Sequence, residues 1–416
     1  MTSRSGKPAI LGGEPVVTAD HGPALRWPIL TTADEEAVLA ILRDGNLSTH
    51  AVIRELERDY RSLTGMPYAL AHCNGTAAML AAFQAIDLKP GDEVLVPSAT
   101  FWASVLPMIW LGAIPVFCES EGERMGLDPA DLQRRITSRT RALVVIHLWG
   151  LPSRMTEITA VARRHGLAII EDASHAHGAI WRDRPCGSLG DVAVFSLQGD
   201  KLAPAGEGGV LLCRSGQAFE KGVCLGDITR ILELSSPARR FAATSFGIKT
   251  RMAPLSAAVA RVQLRHLEER NRKRNQNVEY LSAALESLGF HTFLPPPHIR
   301  RVYFEFLVRP HPEKVRLPLD SLIKALQVEG CRVSSPRYPL LHQQPFFTEG
   351  HFRRIARLPP SIDAPSYAPG ALPRTERESL GLLRLPAFPN ADRVILDQYI
   401  DAFRKVVEHS DAILAA

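Results

Sequence analysis

YALAHCNGTAAMLAAFQAIDLKPGDEVLVPS, residues 68–98, joins three local patterns in thirty-one residues. YALAHC (68–73) is a short apolar run of the kind that forms a buried strand. GTAAMLAAFQAI (75–86) is alanine-rich and of helical length. EVLVPS (93–98) returns to a strand pattern after the turn-forming KPGD. The same alternation continues downstream. FWASVLPMIWLG (101–112) reads as helical and IPVFCE (114–119) as a strand. ALVVIHLW (142–149) and LAIIEDA (167–173) are strands flanking a helix pattern around Met155–His165, and DVAVFSL (191–197) and GGVLLC (208–213) complete the set. Strands alternating with helices predict an α/β fold, with a mostly parallel central sheet covered by helices on both faces. The strands are continuously rather than alternately apolar, which fits burial on both sides.

Beyond residue 250 the pattern changes. Residues 255–289 read as one long helical stretch, 302–310 as a strand, 318–330 as a helix and 331–336 as a short strand. This predicts a smaller C-terminal α+β domain. The expected division is an N-terminal arm over 1–29, a large α/β domain over 30–254 and the small domain over 255–416. The Pro- and Arg-rich segment 350–379 reads as a long surface loop. The basic run NRKRNQN (271–277) follows the acidic HLEER and reads as a solvated helix face. There is no internal repeat.

The chain has 416 residues, 45% hydrophobic and 22% charged, with a formal charge of +5. So small a charge for this length argues against a nucleic-acid or membrane-surface partner. No run of apolar residues is long enough for a transmembrane helix, and the N-terminus lacks the apolar core of a signal peptide. The six cysteines are scattered without a CxxC pair. They predict reduced thiols in a cytoplasmic protein, with no metal site.

Three strand ends carry the chemistry. NGTAA (74–78) opens a helix with small residues, so free backbone N–H groups and the helix dipole can seat a phosphate. Gly75 allows close approach and Thr76 adds a hydroxyl. On its own such a turn is more often a matter of packing. IIEDASHAHGA (169–179) puts Asp172 at a strand's C-terminal edge, where ligands bind in open α/β folds; a helix cap is the plainer reading. FSLQGDKLAPAGEGG (195–209) sets Lys201 between an apolar strand and a glycine cluster. Most lysines are surface lysines, but one with a lowered pKa can form a Schiff base. Taken together, an amine, a phosphate seat and a carboxylate match the aldehyde, phosphate and ring nitrogen of pyridoxal 5′-phosphate.

These motifs, with KPGDEVLVPSATFWAS (89–104), LGAIPVF (111–117), RTRALVVIHLWGLP (139–152), GSLGDVAVFS (187–196), GEGGVLL (206–212), RMAPLSAAVARVQL (251–264) and YPLLHQQPFF (338–347), resemble the DegT/DnrJ/StrS family of sugar and cyclitol aminotransferases. The resemblance runs from residue 12 to residue 390. It implies the fold-type I architecture of pyridoxal-phosphate enzymes and a homodimer with shared active sites. Lys201 matches the lysine of the internal aldimine, Asp172 the partner of the pyridine nitrogen, and His175 the position beside the ring 3-oxygen. Gly75, Thr76 and Ser196 match the phosphate site and Phe101 the aromatic on the ring face.

Departures from the family pattern concern the substrate more than the cofactor. GIKTRM (247–252) puts Lys249 where the family often has an Asn that reaches the partner subunit's phosphate; a lysine can serve a phosphate as a point charge. Ser48, Thr49 and His50 imply an altered substrate mouth. His147, at a strand end, and His342, in the small-domain segment, are further substrate-contact candidates, each also readable as a structural histidine. Tyr338 and Phe346 read as packing. Arg239, Arg240 and Arg337 could line a basic mouth for a nucleotide, with surface solvation the default.

The reaction the resemblance implies is amino transfer from L-glutamate or L-glutamine to a ketosugar, with or without a nucleotide, or to a ketocyclitol, through a pyridoxamine intermediate. A lysine at 201 favours transamination over dehydration. The alternatives are a pyridoxal-phosphate enzyme of another reaction class and a non-catalytic regulator on the same fold.

Overall fold

Seven strands form the central sheet in the computed structural model, which describes residues 6–416. They are β1 (Tyr68–His72), β2 (Glu93–Pro97), β3 (Ile114–Cys118), β4 (Thr140–Ile146), β5 (Ala168–Asp172), β6 (Val192–Ser196) and β7 (Gly209–Cys213). Their order across the sheet is β1-β7-β6-β5-β4-β2-β3. β7 runs antiparallel to both β1 and β6, and every other pairing is parallel. Every residue of β2, β3 and β7 is buried. That is why these strands read as unbroken apolar runs rather than alternating ones.

Helices α2 (Val52–Thr64), α3 (Gly75–Ala85) and α4 (Met155–His165) pack on the sheet, and α5 (Pro254–Arg265) packs in turn on α2 and on α1 (Thr32–Asp44). α3 starts where the Asn74 side chain accepts the Ala77 N–H at 2.8 Å, a standard N-cap. α4 stops at Gly166, whose φ of 64° is the left-handed conformation glycine adopts without a side-chain clash. The sheet, its helices and the site share one hydrophobic core.

A second core lies C-terminal to it. It contains residues of α6 (Leu267–Ser287), β8 (Phe306–Pro310), α7 (Leu319–Val328), β9 (Leu383–Leu385) and α8 (Arg393–Glu408). β8 pairs antiparallel with β9 on one side and with Phe290–His291 on the other. Phe306, Phe388, Tyr399 and Phe403 are completely buried there, each worth about 1.5–3 kcal/mol of burial. Val16, Val17 and Ala24 of the N-terminal segment join this core.

Four local expectations need correction. Residues 255–289 form two helices, α5 and α6, which meet at His266 with ψ near zero. Residues 101–112 form two short pieces, Trp102–Ser104 and Leu106–Ile109, with Pro107 in the first turn of the second, where its missing N–H costs nothing. Residues 331–336 make only an isolated bridge, Ser334 to Arg384. Segment 350–379 is not simply a surface loop. It carries short helices at His351–Ile355 and Pro373–Leu380. Phe352, Tyr367 and Leu372 are buried in the first core, and the Tyr367 hydroxyl donates to the Pro115 carbonyl at 2.9 Å.

The basic run 271–277 is only half solvated. Arg272 and Lys273 are exposed, whereas Asn271, Arg274 and Asn277 are buried. The Arg274 guanidinium lies 3.9 Å from the centroid of the Trp27 ring, and burial lowers its pKa to about 9.

Candidate active site

The C-terminal ends of the parallel strands open into a cavity of about 610 Å³. Lys201, Asp172, His175, Ser196, Gly75, Thr76 and Phe101 all line it. Seven predicted site residues, from four separate stretches of sequence, therefore meet at one place.

Lys201 sits on the loop between β6 and β7. The Gly199 N–H bonds the Gly206 carbonyl and the Leu197 N–H the Gly208 carbonyl, closing the loop into a hairpin-like fold. Lys201 anchors its tip through its own N–H to the Gln198 carbonyl at 2.8 Å. The Trp27 indole N–H donates to the Lys201 carbonyl at 3.1 Å. The side chain is 8% exposed. Its Nζ makes no hydrogen bond or ion pair among the described residues and lies 4.3 Å from the centroid of the Phe304 ring. Burial lowers its pKa to about 8, against a raising influence of Asp172 and with a further lowering from Arg337. About a tenth of this amine is thus unprotonated at pH 7, far more than at the ordinary lysine value.

Asp172 ends β5. Its Oδ2 accepts the Ser104 hydroxyl at 2.6 Å and its Oδ1 the Ser174 N–H at 3.0 Å. The carboxylate is fixed rather than free to rotate. His175 is buried, with Nδ1 accepting the Trp149 N–H at 3.3 Å. That contact assigns the ring proton to Nε2, which faces the Tyr338 hydroxyl at 3.3 Å. Burial, and then the charges of Lys201 and Arg337, push the His175 pKa well below its ordinary value. The imidazole is neutral, stacked on Phe304 at 4.2 Å between centroids.

Across the cavity, the turn into α3 meets the end of β6. The N–H groups of Gly75 and Thr76 have no hydrogen-bond partner among the described residues. Ser196 Oγ accepts only the Gln198 N–H, at 3.4 Å. These are the donors of an anion seat at a helix N-terminus. Phe101 is 40% exposed and packs near Trp102 and Tyr338.

The other candidates lie elsewhere. His147 is completely buried beneath the site: Nε2 donates to Glu171 Oε1 at 2.8 Å and Nδ1 accepts the Ser153 N–H at 3.1 Å. Glu171 also takes the N–H groups of Leu189 and Gly190, at 2.7 and 3.1 Å, and that of Gly187. Burial opposes its charge, but the His147 hydrogen bond and these N–H groups hold its pKa below the usual value. His147 is a structural histidine because both its nitrogens are spent. The same holds for His342, whose Nδ1 meets Ser98 Oγ at 2.7 Å and Nε2 meets Glu376 at 3.0 Å. Ser48 is exposed and accepts Arg251 Nη2 at 3.2 Å beside a separate shallow pocket. Lys249 is exposed and outside the cavity lining of this chain.

Sequence reasoning passed over three wall residues: Tyr338, read as packing, borders the cavity, as do Phe304 and Ser104. Of the three arginines named for a basic mouth, Arg337 borders it as well. Arg239 and Arg240 do not. Ser104 and Phe304 gave no signal beyond residue type, since only the folded chain brings them to Asp172 and Lys201.

Comparison with known proteins gives a consistent picture. Residues 28–401 match the model of the DegT/DnrJ/EryC1/StrS aminotransferase family. The chain is 31% identical over 362 residues to the L-glutamine:2-deoxy-scyllo-inosose aminotransferase of Streptoalloteichus tenebrarius, covering 84% of this chain and 85% of that one. It is 35% identical over 299 residues to the GDP-perosamine synthase of Caulobacter vibrioides, covering 70% and 78%. Among solved structures it is similar to S. venezuelae DesV in complex with a ketimine intermediate, with a TM-score of 0.77, 29% identity, and coverage of 92% and 99%.

Proposed function

This chain belongs to the DegT/DnrJ/EryC1/StrS aminotransferase family, and on that premise we propose that it transfers an amino group from L-glutamine or L-glutamate to the carbonyl of a ketosugar or ketocyclitol, with pyridoxal 5′-phosphate as cofactor. The observation that carries this reading is the unpartnered Nζ of Lys201, buried in the same cavity as a fixed carboxylate and two free helix N-terminal N–H groups.

The residues fit the cofactor. A Cβ on Gly75 would fall 2.8 Å from the Ser196 Cβ, so the glycine keeps open a cradle that a side chain would fill. When bound, the cofactor supplies an aldehyde for an amine and a cationic ring that accepts the electron pair left by a departing proton. Gly75, Thr76 and Ser196 would hold its phosphate, and Asp172 would keep a proton at its ring nitrogen. Phe101 would cover one face of the ring and His175 would lie beside it, excluding water. Lys201, with a pKa of about 8, can accept a proton from the donor's α-carbon and return it one position away.

Two finer features belong to the same reading. The protein acts as a homodimer. Phe246 and Ile248, flanking Lys249, are 44% and 41% exposed, an apolar surface suited to a second copy, and Lys249 then reaches the partner's phosphate. It acts in the cytoplasm, in keeping with six free cysteines.

The test is an absorbance spectrum of the purified protein with pyridoxal 5′-phosphate, before and after L-glutamine or L-glutamate. Conversion of a visible cofactor band to the pyridoxamine spectrum is expected. Absence of any cofactor band would overturn the reading.

A further inference from the structure

A second cavity, of about 770 Å³, opens between the hairpin at Trp181, the segment 294–303 and α6. It shares no lining residue with the cavity that holds Lys201. Ile180–Trp181 pairs antiparallel with Ile299–Arg300 along one side, and α6 contributes Asn275 and Glu279. Leu294, Pro295, Pro297 and Tyr303 add apolar surface. Concave walls of mixed apolar and polar character, with room for a small molecule, are the ordinary form of a ligand site.

Arg301 is the lining group that the fold leaves unbalanced. It is 2% exposed, and among the described residues it pairs with no carboxylate. Nη1 donates to the Phe293 carbonyl at 2.8 Å, and the guanidinium carbon lies 4.2 Å from the centroid of the Tyr303 ring. Nε is buried with no acceptor, and Nη2 also makes no hydrogen bond among the described residues. Burial lowers the Arg301 pKa, and only Tyr303 beside it works the other way. A buried charge is costly unless an opposite charge and hydrogen bonds meet it. The cavity is where such a counter-charge can enter.

The other polar groups call for hydroxyls. Asn275 gives an amide N–H to the Arg301 carbonyl at 2.8 Å, which leaves its Oδ1 buried and unpartnered. Asp183 and Glu279 also line the cavity and are exposed. Water and salt screen exposed carboxylates, so they do not cancel the buried guanidinium, but their oxygens can accept from a ligand hydroxyl. Of the other lining cations, Arg300 is taken by Glu268 at 2.9 Å, whereas Arg182 is exposed and forms no ion pair among the described residues. A ligand with one anionic end and several hydroxyls satisfies both sets. Its oxyanion meets the planar guanidinium, and its hydroxyls meet the free acceptors.

We propose that this cavity binds a small hydroxylated oxyanion, a phosphorylated or carboxylated polyol, with Arg301 as its anchor. The experiment is calorimetry on protein saturated with pyridoxal 5′-phosphate, so that the Gly75 turn is filled, with glycerol 3-phosphate, glycerate and glycerol as probes. The wild type is expected to bind at least one of the two anions with a Kd on the order of 1 mM or below, and glycerol far more weakly. The tighter anion identifies the preferred group, phosphate or carboxylate. Arg301→Gln is expected to weaken anion binding by roughly tenfold or more, the loss of a charge-assisted hydrogen bond. Leu294→Glu puts a negative charge at an exposed wall position, where it does not burden the fold, and is expected to weaken anion binding several-fold at low salt. A wild type that binds neither anion overturns the proposal. So does glycerol binding as tightly as the anions, or anion binding that the substitutions leave unchanged, which would put the ligand elsewhere. If Arg301→Gln does not fold, the wild-type comparison and Leu294→Glu decide the matter.

Discussion

Gly75 and Ser196, 121 positions apart in the chain, touch so closely that a Cβ on the glycine would lie 2.8 Å from the serine Cβ and 3.0 Å from its Oγ. The turn after β1 and the end of β6 make contact here because β7 lies between the two strands, with Gly209 opposite both His72 and Ser196. Gly209 is equally constrained: its Cβ would meet the Asn74 carbonyl oxygen at 2.5 Å. The phosphate seat is therefore built from backbone proximity that only glycine permits.

Replacing Gly75 with Ala is expected to push Ser196 away and misdirect the free N–H groups. Overpacking of this kind costs about 1–3 kcal/mol. The Kd for pyridoxal 5′-phosphate, measured by fluorescence titration, should rise by roughly tenfold or more. An unchanged Kd would show that the cradle is not where the phosphate binds.

Lys201→Met should stabilise the cofactor-free protein in a pH-dependent way. The folded pKa is lowered to about 8 from 10.5, so between those values the unfolded chain holds a proton that the folded chain has lost. Wild-type stability therefore rises with pH across that window. The advantage of the Met variant should be greatest below pH 8 and shrink by roughly 3 kcal/mol as the pH approaches 10.5. Urea melts at pH 7 and pH 10 would measure it. A difference independent of pH would mean the lysine is not desolvated. The same variant should have no transaminase activity.

Trp27→Phe removes the N–H that holds the Lys201 carbonyl but keeps an aromatic face for Arg274. The lost hydrogen bond corresponds to about 0.5–1.5 kcal/mol. A fall in kcat of up to about tenfold is expected, with little change in thermal midpoint. Wild-type kcat in this variant would show that the loop holds Lys201 without help from the N-terminal segment.

His147→Ala should injure the fold rather than the chemistry. It leaves the buried Glu171 carboxylate with one hydrogen bond fewer, a defect of about 1.5–3 kcal/mol for a bond to a charged group. Denaturant melts should show the loss, while KM for donor and acceptor, measured on the folded fraction, should stay at the wild-type value. A large KM change would return His147 to the substrate site.

The sheet was legible because doubly buried strands leave continuous apolar runs, and the predicted strands from β1 to β7 are all present to within a few residues. Lys201, Asp172 and Ser196 were legible because each follows such a run at a strand's C-terminal end. His147 sits at a strand end too, yet lies below the cavity, because alternation along β4 says nothing about whether a buried partner such as Glu171 will claim the ring. Tyr338, Phe304 and Arg337 come from segments with weak periodicity, and their place at the site depends on long-range packing of Phe304, Leu340 and Leu341 into the first core. The 350–379 segment reads as loop from its prolines, but its anchors are single residues, Phe352, Tyr367 and Leu372, too widely spaced to form a pattern.

Those anchors have a bearing on how substrates come and go. Leu340 and Leu341 already belong to the first core, just after Arg337 and Tyr338, and the Leu341 N–H bonds the Ser98 carbonyl at 3.1 Å. The wall these residues form is thus stitched to the sheet on its C-terminal side. If the second core swung outward as a rigid body, Phe306 would draw Glu305 away with it while Phe304, part of the first core, stayed behind with Leu340 and Leu341, and the Arg337–Glu305 pair would break at the seam. With that wall fixed to the sheet, turnover should respond to solvent viscosity far less than in an enzyme that must close a whole domain for each catalytic cycle.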